Sequence, residues 1–283
     1  MSQEQIGLLH PGEMGAAVGG CLAAAGHPVL WASAGRGPGT AARAEAAGLR
    51  DAGTVGKLAR QAGVIVSICP PHAALDVARS VAGTAAPGFG GVFVDANAIS
   101  PGTAEEVARI VEAGGAHYVD GGIIGPPPAA LDSTRLYLSG ARAAQIRDLF
   151  ADTALDARVL DAGLTAASAL KMAYAGWTKG TAALILAVRG LAHGAGVEEA
   201  LLAEWQESQP ELAGRSRSAA RSAATKGWRW ASEMEEIAAS MAAAGLPGGF
   251  HQAAAEIFRR SPHTGSAPAD EATVTAILGA LLP

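Results

Sequence analysis

The sequence predicts an α/β chain, a doubly wound parallel sheet followed by an all-helical second half. Three observations carry this. Short apolar runs alternate with helical stretches from Ile6 to Leu149, the pattern of a parallel sheet with helices on both faces. The stretch Ile6–Gly15 sets a strand, a tight Pro-Gly turn and a helix start in immediate succession. After about Leu160 the strand patterns stop and helical periodicity takes over.

The expected strands are Ile6–Leu9, Val29–Ala32, Val64–Ile68, Val92–Asp95, His117–Asp120 and Arg135–Ser139, each a short β-branched or apolar run bounded by turn residues. Between them the Ala-rich and amphipathic segments Glu13–Ala25, Thr40–Ala47, Thr54–Gln61, Ala73–Ala82, Pro101–Ala113 and Ala141–Leu149 are expected as helices. A nearly unbroken helical pattern then runs from Leu164 to His193, long enough to bridge two domains, followed by helices at about Glu198–Glu207, Arg215–Ala244 and Gly249–Arg260. The last twenty residues read as loosely packed. The expected domains are residues 1–162, the sheet domain, and 163–283, a helical substrate and dimerisation domain with 164–193 as its bridging helix.

Bulk properties exclude several function classes. A chain of 283 residues is long enough for two cores. The net charge of −5 argues against a nucleic-acid partner, which wants a basic face. Cys21 and Cys69 sit in apolar segments, as two buried thiols in a reducing cytoplasm would. Met1–Gln5 is polar and does not read as a signal peptide, and the strongest apolar run, Ala182–Val188, is far short of a membrane span. His72, His117, His193, His251 and His263 have no metal-ligand spacing, so no metal is expected. The expectation is a cytoplasmic protein working on a small molecule, with no membrane partner.

The stretch His10-Pro-Gly-Glu-Met-Gly15 carries the first chemical signal. A glycine turn between strand and helix lets a pyrophosphate approach bare backbone and rest on helix N-terminal N–H groups, the arrangement of a Rossmann-type dinucleotide site. Gly12 and Gly15 fit the three-glycine fingerprint, and His10 stands where its first glycine would be. The second strand should end beside the adenosine ribose, where an NAD-preferring site carries a carboxylate. Here the chain reads Ser33-Ala-Gly-Arg36, with no carboxylate before Glu45. A hydroxyl and a guanidinium suit a 2′-phosphate, so NADP(H) is the expected cofactor.

Two further strand ends face the same crevice: Val64–Ile68 runs into Cys69-Pro70-Pro71-His72, and Val92–Asp95 into Ala96-Asn97-Ala-Ile-Ser-Pro101. With these residues the chain resembles the superfamily of 6-phosphogluconate dehydrogenase and 3-hydroxyisobutyrate dehydrogenase, the β-hydroxyacid dehydrogenases, to which imine reductases also belong. Its Asp-x-Ser-Thr-x-x-Pro segment is matched by Asp95-Ala-Asn-Ala-Ile-Ser-Pro101, and its Asp-Ala-Pro-Val-Ser-Gly loop by Asp120-Gly-Gly-Ile-Ile-Gly125. Leu136-Tyr-Leu-Ser-Gly140 resembles the strand that follows. Gly163-x-x-x-x-Ser168-x-x-Lys171 is similar to the family's interdomain helix with its lysine, and Lys226-Gly-Trp-Arg-Trp…Ala244-Gly-Leu-Pro to its C-terminal helix. The resemblance covers most of the chain and is weaker in the second half, where it is closest to a phosphogluconate-dehydrogenase-like subgroup of poorly defined substrates.

The resemblance implies a cofactor site of His10, Pro11, Gly12, Glu13, Met14, Gly15, Ser33, Arg36, Cys69, Pro70, Pro71, Asn97 and Lys226, in a cleft between the domains. It implies Lys171 as the general acid or base, and the residues themselves agree. Lys171 lies in an otherwise apolar helical stretch, where desolvation lowers an amine's pKa toward the working range. Tyr174, Ala175 and Thr178 share its helix face by spacing. Gly121, Gly122, Ile123 and Ile124, with Tyr174, Thr178 and His251, are the expected substrate contacts. The departures are specific. Ala175 stands where the family has an asparagine that orients the substrate hydroxyl, Ile124 where it has a carboxylate-binding serine, and Gly227 where it often has aspartate. Pro126-Pro127-Pro128 removes three N–H donors from the loop, which suits an apolar or ring-shaped substrate better than a small hydroxy acid.

The expected activity is hydride transfer between NADP(H) and a carbonyl or hydroxyl carbon. Its alternatives are reduction of a C=N bond and a non-catalytic NADPH-binding protein. Arg215, Arg217 and Arg221 read as a solvated helix face before a phosphate clamp, and Trp177, Trp205, Trp228 and Trp230 as core or subunit interface before pocket walls. The amphipathic helices of the second half, unable to bury all their apolar faces alone, point to a homodimer.

Overall fold

The computed structural model describes residues 5–84, 88–131 and 133–282; of the polar N-terminal stretch, residues 1–4 lie outside it. Two compact units divide the chain, Met1–Lys171 and Met172–Pro283.

The first unit is built on an eight-stranded sheet. In chain order its elements are β1 (Ile6–Leu9), α1 (Glu13–Ala24), β2 (Val29–Trp31), α2 (Pro38–Ala46), β3 (Arg50–Asp51), α3 (Val55–Ala59) and β4 (Val64–Ser67). There follow α4 (Ala74–Ala82), β5 (Val92–Asp95), α5 (Pro101–Ala113), β6 (His117–Ile124), β7 (Thr134–Ser139), α6 (Ala143–Asp148) and β8 (Leu155–Val159). The strand order is β3-β2-β1-β4-β5-β6-β7-β8, so the chain reverses direction across the sheet between β1 and β4. Ligands of open α/β sheets bind at such a switch point, beyond the carboxyl ends of the strands.

Why these runs become central strands follows from their burial. All residues of β1, β4 and β5 are buried, as a sheet covered on both faces requires. Alternate residues serve alternate faces. Leu8, Val66 and Val94 pack with Val18 and Leu22 of α1 and with Ile146 of α6. Leu9, Ile65 and Phe93 pack with Leu58, Val77, Val81 and Val107 of α3, α4 and α5.

The sheet departs from the expected all-parallel arrangement at one edge. β7 runs antiparallel to β6, from Asp120↔Ser139 to Ile124↔Arg135. Only nine residues separate the two strands, fewer than the dozen or so a crossover back to parallel pairing needs. The same pairing corrects the expected loop at Gly121–Gly125, of which residues 121–124 continue β6 as strand. Two strands were not expected at all. β3 is only two residues long, and β8 is a polar, half-exposed edge without apolar alternation.

α7 (Ala166–Gly194) starts in the first unit and continues into the second. There it is joined by α8 (Glu198–Ser208), α9 (Glu211–Ala243), α10 (Gly249–Arg260) and α11 (Glu271–Leu281). Arg189 is buried where these helices meet. Its guanidinium donates to Glu198 of α8, to the Ser216 hydroxyl of α9 at 3.0 Å and to Glu271 of α11 at 3.0 Å. A buried charge is tolerable only when its donors are met in this way.

The last twenty residues are not loose. Asp270 caps α11 by accepting from the Thr273 N–H at 2.9 Å, and Val274, Ile277, Leu278 and Leu281 are buried along one face. The cap and the i, i+3, i+4, i+7 spacing are legible signals of a helix. Ile277→Ala should therefore cost about 2–4 kcal/mol, the usual range for truncating a fully buried aliphatic side chain. A urea midpoint equal to that of the unmodified protein would contradict this packing.

Candidate functional site

At the switch point, β1 ends at Leu9 and the chain turns through His10 in the left-handed region, φ 66°. Histidine tolerates that conformation better than most residues, so the turn forms without the expected glycine. The Gly12 N–H closes it by donating to the His10 carbonyl at 2.7 Å. α1 then starts with no side-chain cap on its first N–H groups. The two glycines do different work. A Cβ on Gly15 would lie 2.4 Å from the His10 carbonyl oxygen, whereas one on Gly12 would meet nothing within 4 Å. Gly15 is needed to make the turn; Gly12 keeps the approach to the helix N-terminus bare. Pro11 is buried, its carbonyl accepting from Arg43 Nε at 3.3 Å, Met14 packs on the core and Glu13 is exposed.

The His10 imidazole is lowered to about 4 by burial and then by the Arg36 charge, so it is neutral near pH 7. Its Nδ1 is buried with no hydrogen-bond partner. Beside it lies a cavity of about 300 Å³ bounded by Leu9, His10, Ala32, Arg36, Val77 and Asp76, near the lower end of ligand-pocket sizes. Ser33 is half-buried and Arg36 exposed at its rim. The structure adds a residue that was not expected here. Asp51 of β3 accepts from the Gly53 N–H at 2.7 Å and from Ser33, contacts that hold its carboxyl below the usual range. Recognising the short edge strand beside β2 is what would have found it.

The loops after β4 and β5 are tied together by Asn97. Its Oδ1 accepts from the Cys69 N–H at 2.5 Å, its Nδ2 donates to Ser67 Oγ at 3.3 Å, and its own N–H donates to Asp95 Oδ1 at 2.9 Å. Asn97 is 2% exposed, so its amide is committed to holding the loops in register. Burial, and then the Asp95 charge, pushes the Cys69 thiol up to about 12, which makes it an unreactive packing group. Pro70 precedes a single 3-10 turn begun by the buried Pro71.

From these loops a buried polar row crosses the sheet in register: Ser67↔Asp95↔Asp120↔Ser139. Burial raises Asp95 to about 7, and its Oδ2 has no partner. Burial also raises Asp120, against hydrogen bonds from Ser168, Ser139 and Tyr118. Asp120 Oδ2 accepts from the Ser168 N–H at 2.7 Å and Oδ1 from the Ser168 hydroxyl at 2.6 Å. Ser139 Oγ lies 3.3 Å from Asp120 Oδ2 and 2.9 Å from the Leu164 carbonyl, and accepts from the Ala167 N–H at 3.1 Å.

Lys171 stands one helical turn beyond Ser168. Its Nζ donates to the Ile123 carbonyl at 2.7 Å, and burial lowers its amine to about 8. Gly121 and Gly122 allow the close approach of this part of β6: a Cβ on Gly122 would lie 2.7 Å from the Ala167 carbonyl and 3.1 Å from Lys171 Cβ. Ile123 and Ile124 are both buried.

Of the expected residues, His10, Arg36, Cys69 and Asn97 thus come together around the strand ends, and Lys171 meets Ile123 and Gly122. Lys226, Tyr174, Thr178 and His251 belong to the second unit. Lys226 is exposed on α9, and Tyr174 is 47% exposed. The Thr178 hydroxyl is turned onto its own helix, donating to the Tyr174 carbonyl at 3.1 Å. His251 is buried, with Nε2 3.3 Å from the Gly176 carbonyl. Arg217 pairs with Glu271, and Trp205 is core while Trp177 and Trp228 are exposed. Among the described residues no group of three or more His, Cys, Asp or Glu side chains is placed to hold a metal ion, and no helix is long and apolar enough to cross a membrane.

The two glycines of the first turn can be tested apart. Gly12→Ala should leave the melting temperature unchanged and weaken binding of a nicotinamide dinucleotide at least about tenfold, by obstructing the approach to the helix N-terminus. Gly15→Ala should lower the melting temperature, because the atom it meets is backbone. Equal effects of the two substitutions on melting would contradict this division.

The chain is similar in fold to several solved proteins. No curated protein matches it. A conserved hypothetical protein from Sinorhizobium meliloti 1021 shares the fold at 23% identity and a TM-score of 0.70, over 98% of this chain and 97% of that one. Mycobacterium tuberculosis 3-hydroxyisobutyrate dehydrogenase, solved with L-serine, does so at 19% identity and 0.66, over 97% and 98%. A reductive aminase from Aspergillus terreus, in complex with NADPH and ethyl-5-oxohexanoate, matches at 18% identity and 0.57, over 93% and 97%. Residues 192–261 match a domain of unknown function, DUF1932. Residues 5–157, more than half of the chain, match the NAD binding domain of 6-phosphogluconate dehydrogenase, and with its open Gly12 backbone and its Rossmann sheet the chain belongs to that family.

Proposed function

We propose that the protein is an NADPH-dependent oxidoreductase that transfers hydride between the nicotinamide and a carbonyl or hydroxyl carbon of a small organic substrate, with Lys171 as general acid or base. The observation that carries this reading is the Lys171 amine, brought by burial to about 8 and held 2.7 Å from the Ile123 carbonyl. An ordinary lysine stays protonated at neutral pH, whereas at about 8 both forms are accessible, which is what proton transfer needs.

The bare backbone at Gly12 and the uncapped start of α1 fit a pyrophosphate. His10, Pro11, Gly12, Glu13, Met14 and Gly15 would border it, with Ser33 and Arg36 toward the 2′-phosphate and Cys69, Pro70, Pro71 and Asn97 bordering the nicotinamide end. Lys226 is assigned to the cofactor by the family resemblance alone. When bound, the dinucleotide supplies or accepts the hydride. Lys171 does the rest: protonated, it gives a proton to the oxygen of a carbonyl under reduction, and deprotonated, it takes one from an alcohol under oxidation. The Ile123 carbonyl holds the amine in place, and Gly121, Gly122, Ile124, Tyr174, Thr178 and His251 are assigned to the substrate side. The free thiols Cys21 and Cys69 suit a reducing cytoplasm.

One observation favours a second reading, reduction of a C=N bond. Ala175, one turn after Lys171, is buried and offers no amide to orient a substrate hydroxyl. Assay of a β-keto acid and a cyclic imine with NADPH separates the two. Tight NADPH binding without turnover on a broad carbonyl and imine panel would instead indicate a non-catalytic binding protein.

We assign a homodimer from α7. Trp177, Leu184, Val188 and Leu191 are exposed at spacings of 7, 4 and 3 residues, an apolar stripe of the 3.5-residue period by which helices pair, and Leu191 is 74% exposed. A second copy of the chain is its occupant.

Two sets of measurements test these assignments. Lys171→Ala should reduce turnover at least about a hundredfold while NADPH binding persists. In the unmodified protein carbonyl reduction needs the protonated amine, so its rate should fall as pH rises through about 8, and alcohol oxidation should rise over the same interval. Full activity in the alanine variant would overturn the role. For the dimer, light scattering should give twice the chain mass, and Leu191→Glu should return the monomer; a monomeric unmodified protein refutes the assignment.

A further inference from the structure

We infer that Asp120, acting with Ser139 and Ser168, is the positioning group for Lys171: its carboxylate closes the first turn of α7 and so sets where the lysine amine meets β6. The inference rests on the reading of Lys171 as the acid–base group, and it concerns a residue that touches neither the amine nor the expected cofactor loops.

A helix begins with N–H groups that have no partner inside it, and a residue next to the first turn in sequence usually supplies the cap. α7 is capped from another element. The Ser168 N–H and hydroxyl both donate to Asp120 of β6, and the Ala167 N–H donates to Ser139 of β7. Asp120, Ser139 and Ser168 are all 0% exposed. A carboxylate is suited to this place because the N-terminus of the helix, Ala166–Gly194, carries partial positive charge.

The spacing shows what the cap determines. Asp120 meets Ser168 and Ile123 meets Lys171, two contacts with the same separation of 48 residues. Three residues along a strand advance roughly 10 Å, and three along a helix roughly 4.5 Å. The strand thus outruns the helix by roughly 5 Å, and it is the lysine amine, not the helix backbone, that meets Ile123. Between the two contacts, Gly122 lies against Ala167 and Lys171 with no room for a Cβ. Helix and strand therefore run together from Asp120, and a slip of the helix start would carry Lys171 away from the Ile123 carbonyl. Asp120 acts through geometry: burial is the sole cause of the lowered Lys171 amine, and no carboxylate enters it.

The test reads the lysine directly. The chain has four lysines, so carbon-13 labelling at Cε gives few NMR signals, and Lys171→Arg identifies the one that matters. In the unmodified protein that signal should titrate near pH 8. Asp120→Asn keeps the shape but replaces one acceptor oxygen by a donor, and Ser168→Ala removes a single hydroxyl contact in case the first variant does not fold. In each folded variant the Lys171 titration should move up by about one pH unit as the amine loses its desolvated seat. kcat should fall about tenfold or more, with the NADPH Kd within about threefold of its original value. If the variants melt earlier yet Lys171 titrates where it did before, Asp120 is only a structural cap and the inference is overturned. Should Lys171→Ala prove fully active, the catalytic reading fails, but the titration still decides whether Asp120 positions the amine.

Discussion

The contact between the Asp120 carboxylate and the start of α7 is the constraint on which the candidate site depends. It joins the middle of β6 to a helix whose first turn is in one compact unit and whose remainder is in the other. The arrangement is costly, since burying a carboxylate in a protein interior requires that its oxygens be met. Asp120 has partners on both oxygens. Asp95, beside it in the sheet, has one oxygen without a partner and is pushed up to about 7. Burial raises both carboxylates; they differ in that Asp120 has donors on both oxygens and Asp95 on one.

The polar row containing them explains how strand ends far apart in sequence hold one geometry. Asn97 holds the Cys69 and Ser67 segments, Asp95 holds Asn97, and Asp120 and Ser139 hold the helix that carries Lys171. Apolar packing alone fixes strands less sharply than directional hydrogen bonds between them do. Around the row the apolar faces supply the bulk of the stability, with Phe93, Ile65 and Leu8 fully buried in the central strands.

Much of this was legible in the sequence, for reasons that can be stated. Central strands such as Val64–Ser67 and Val92–Asp95 are continuous apolar runs because both faces are covered, and their alternation with helices specifies the sheet. Lys171 stood out as a charge in an apolar helix. What was not legible depends on contacts at long range or on edges. β8 is too polar to show a period, and β3 is two residues long. The reversal of β7 follows from the length of its connection and not from its composition. Asp120 lies in a segment that pattern alone marks for attention, yet its partner is 48 residues away and nothing local announces it. α11 is different, since Asp270 and the spacing of Val274, Ile277, Leu278 and Leu281 are local signals that mark a helix.

The pairing of Ser33 with Asp51 has a consequence for charge at the end of β2. An acidic side chain is present there after all, contributed by an edge strand, and it contacts Ser33, three residues before Arg36 in the chain. The net field met by an incoming anion is therefore a difference between two opposed surface charges, each in contact with water. Such a difference is screened over about 8–10 Å at physiological ionic strength. Discrimination between ligands that differ only by a phosphate would on this account weaken as salt is added, more than the grip of the buried backbone turn at His10–Gly15.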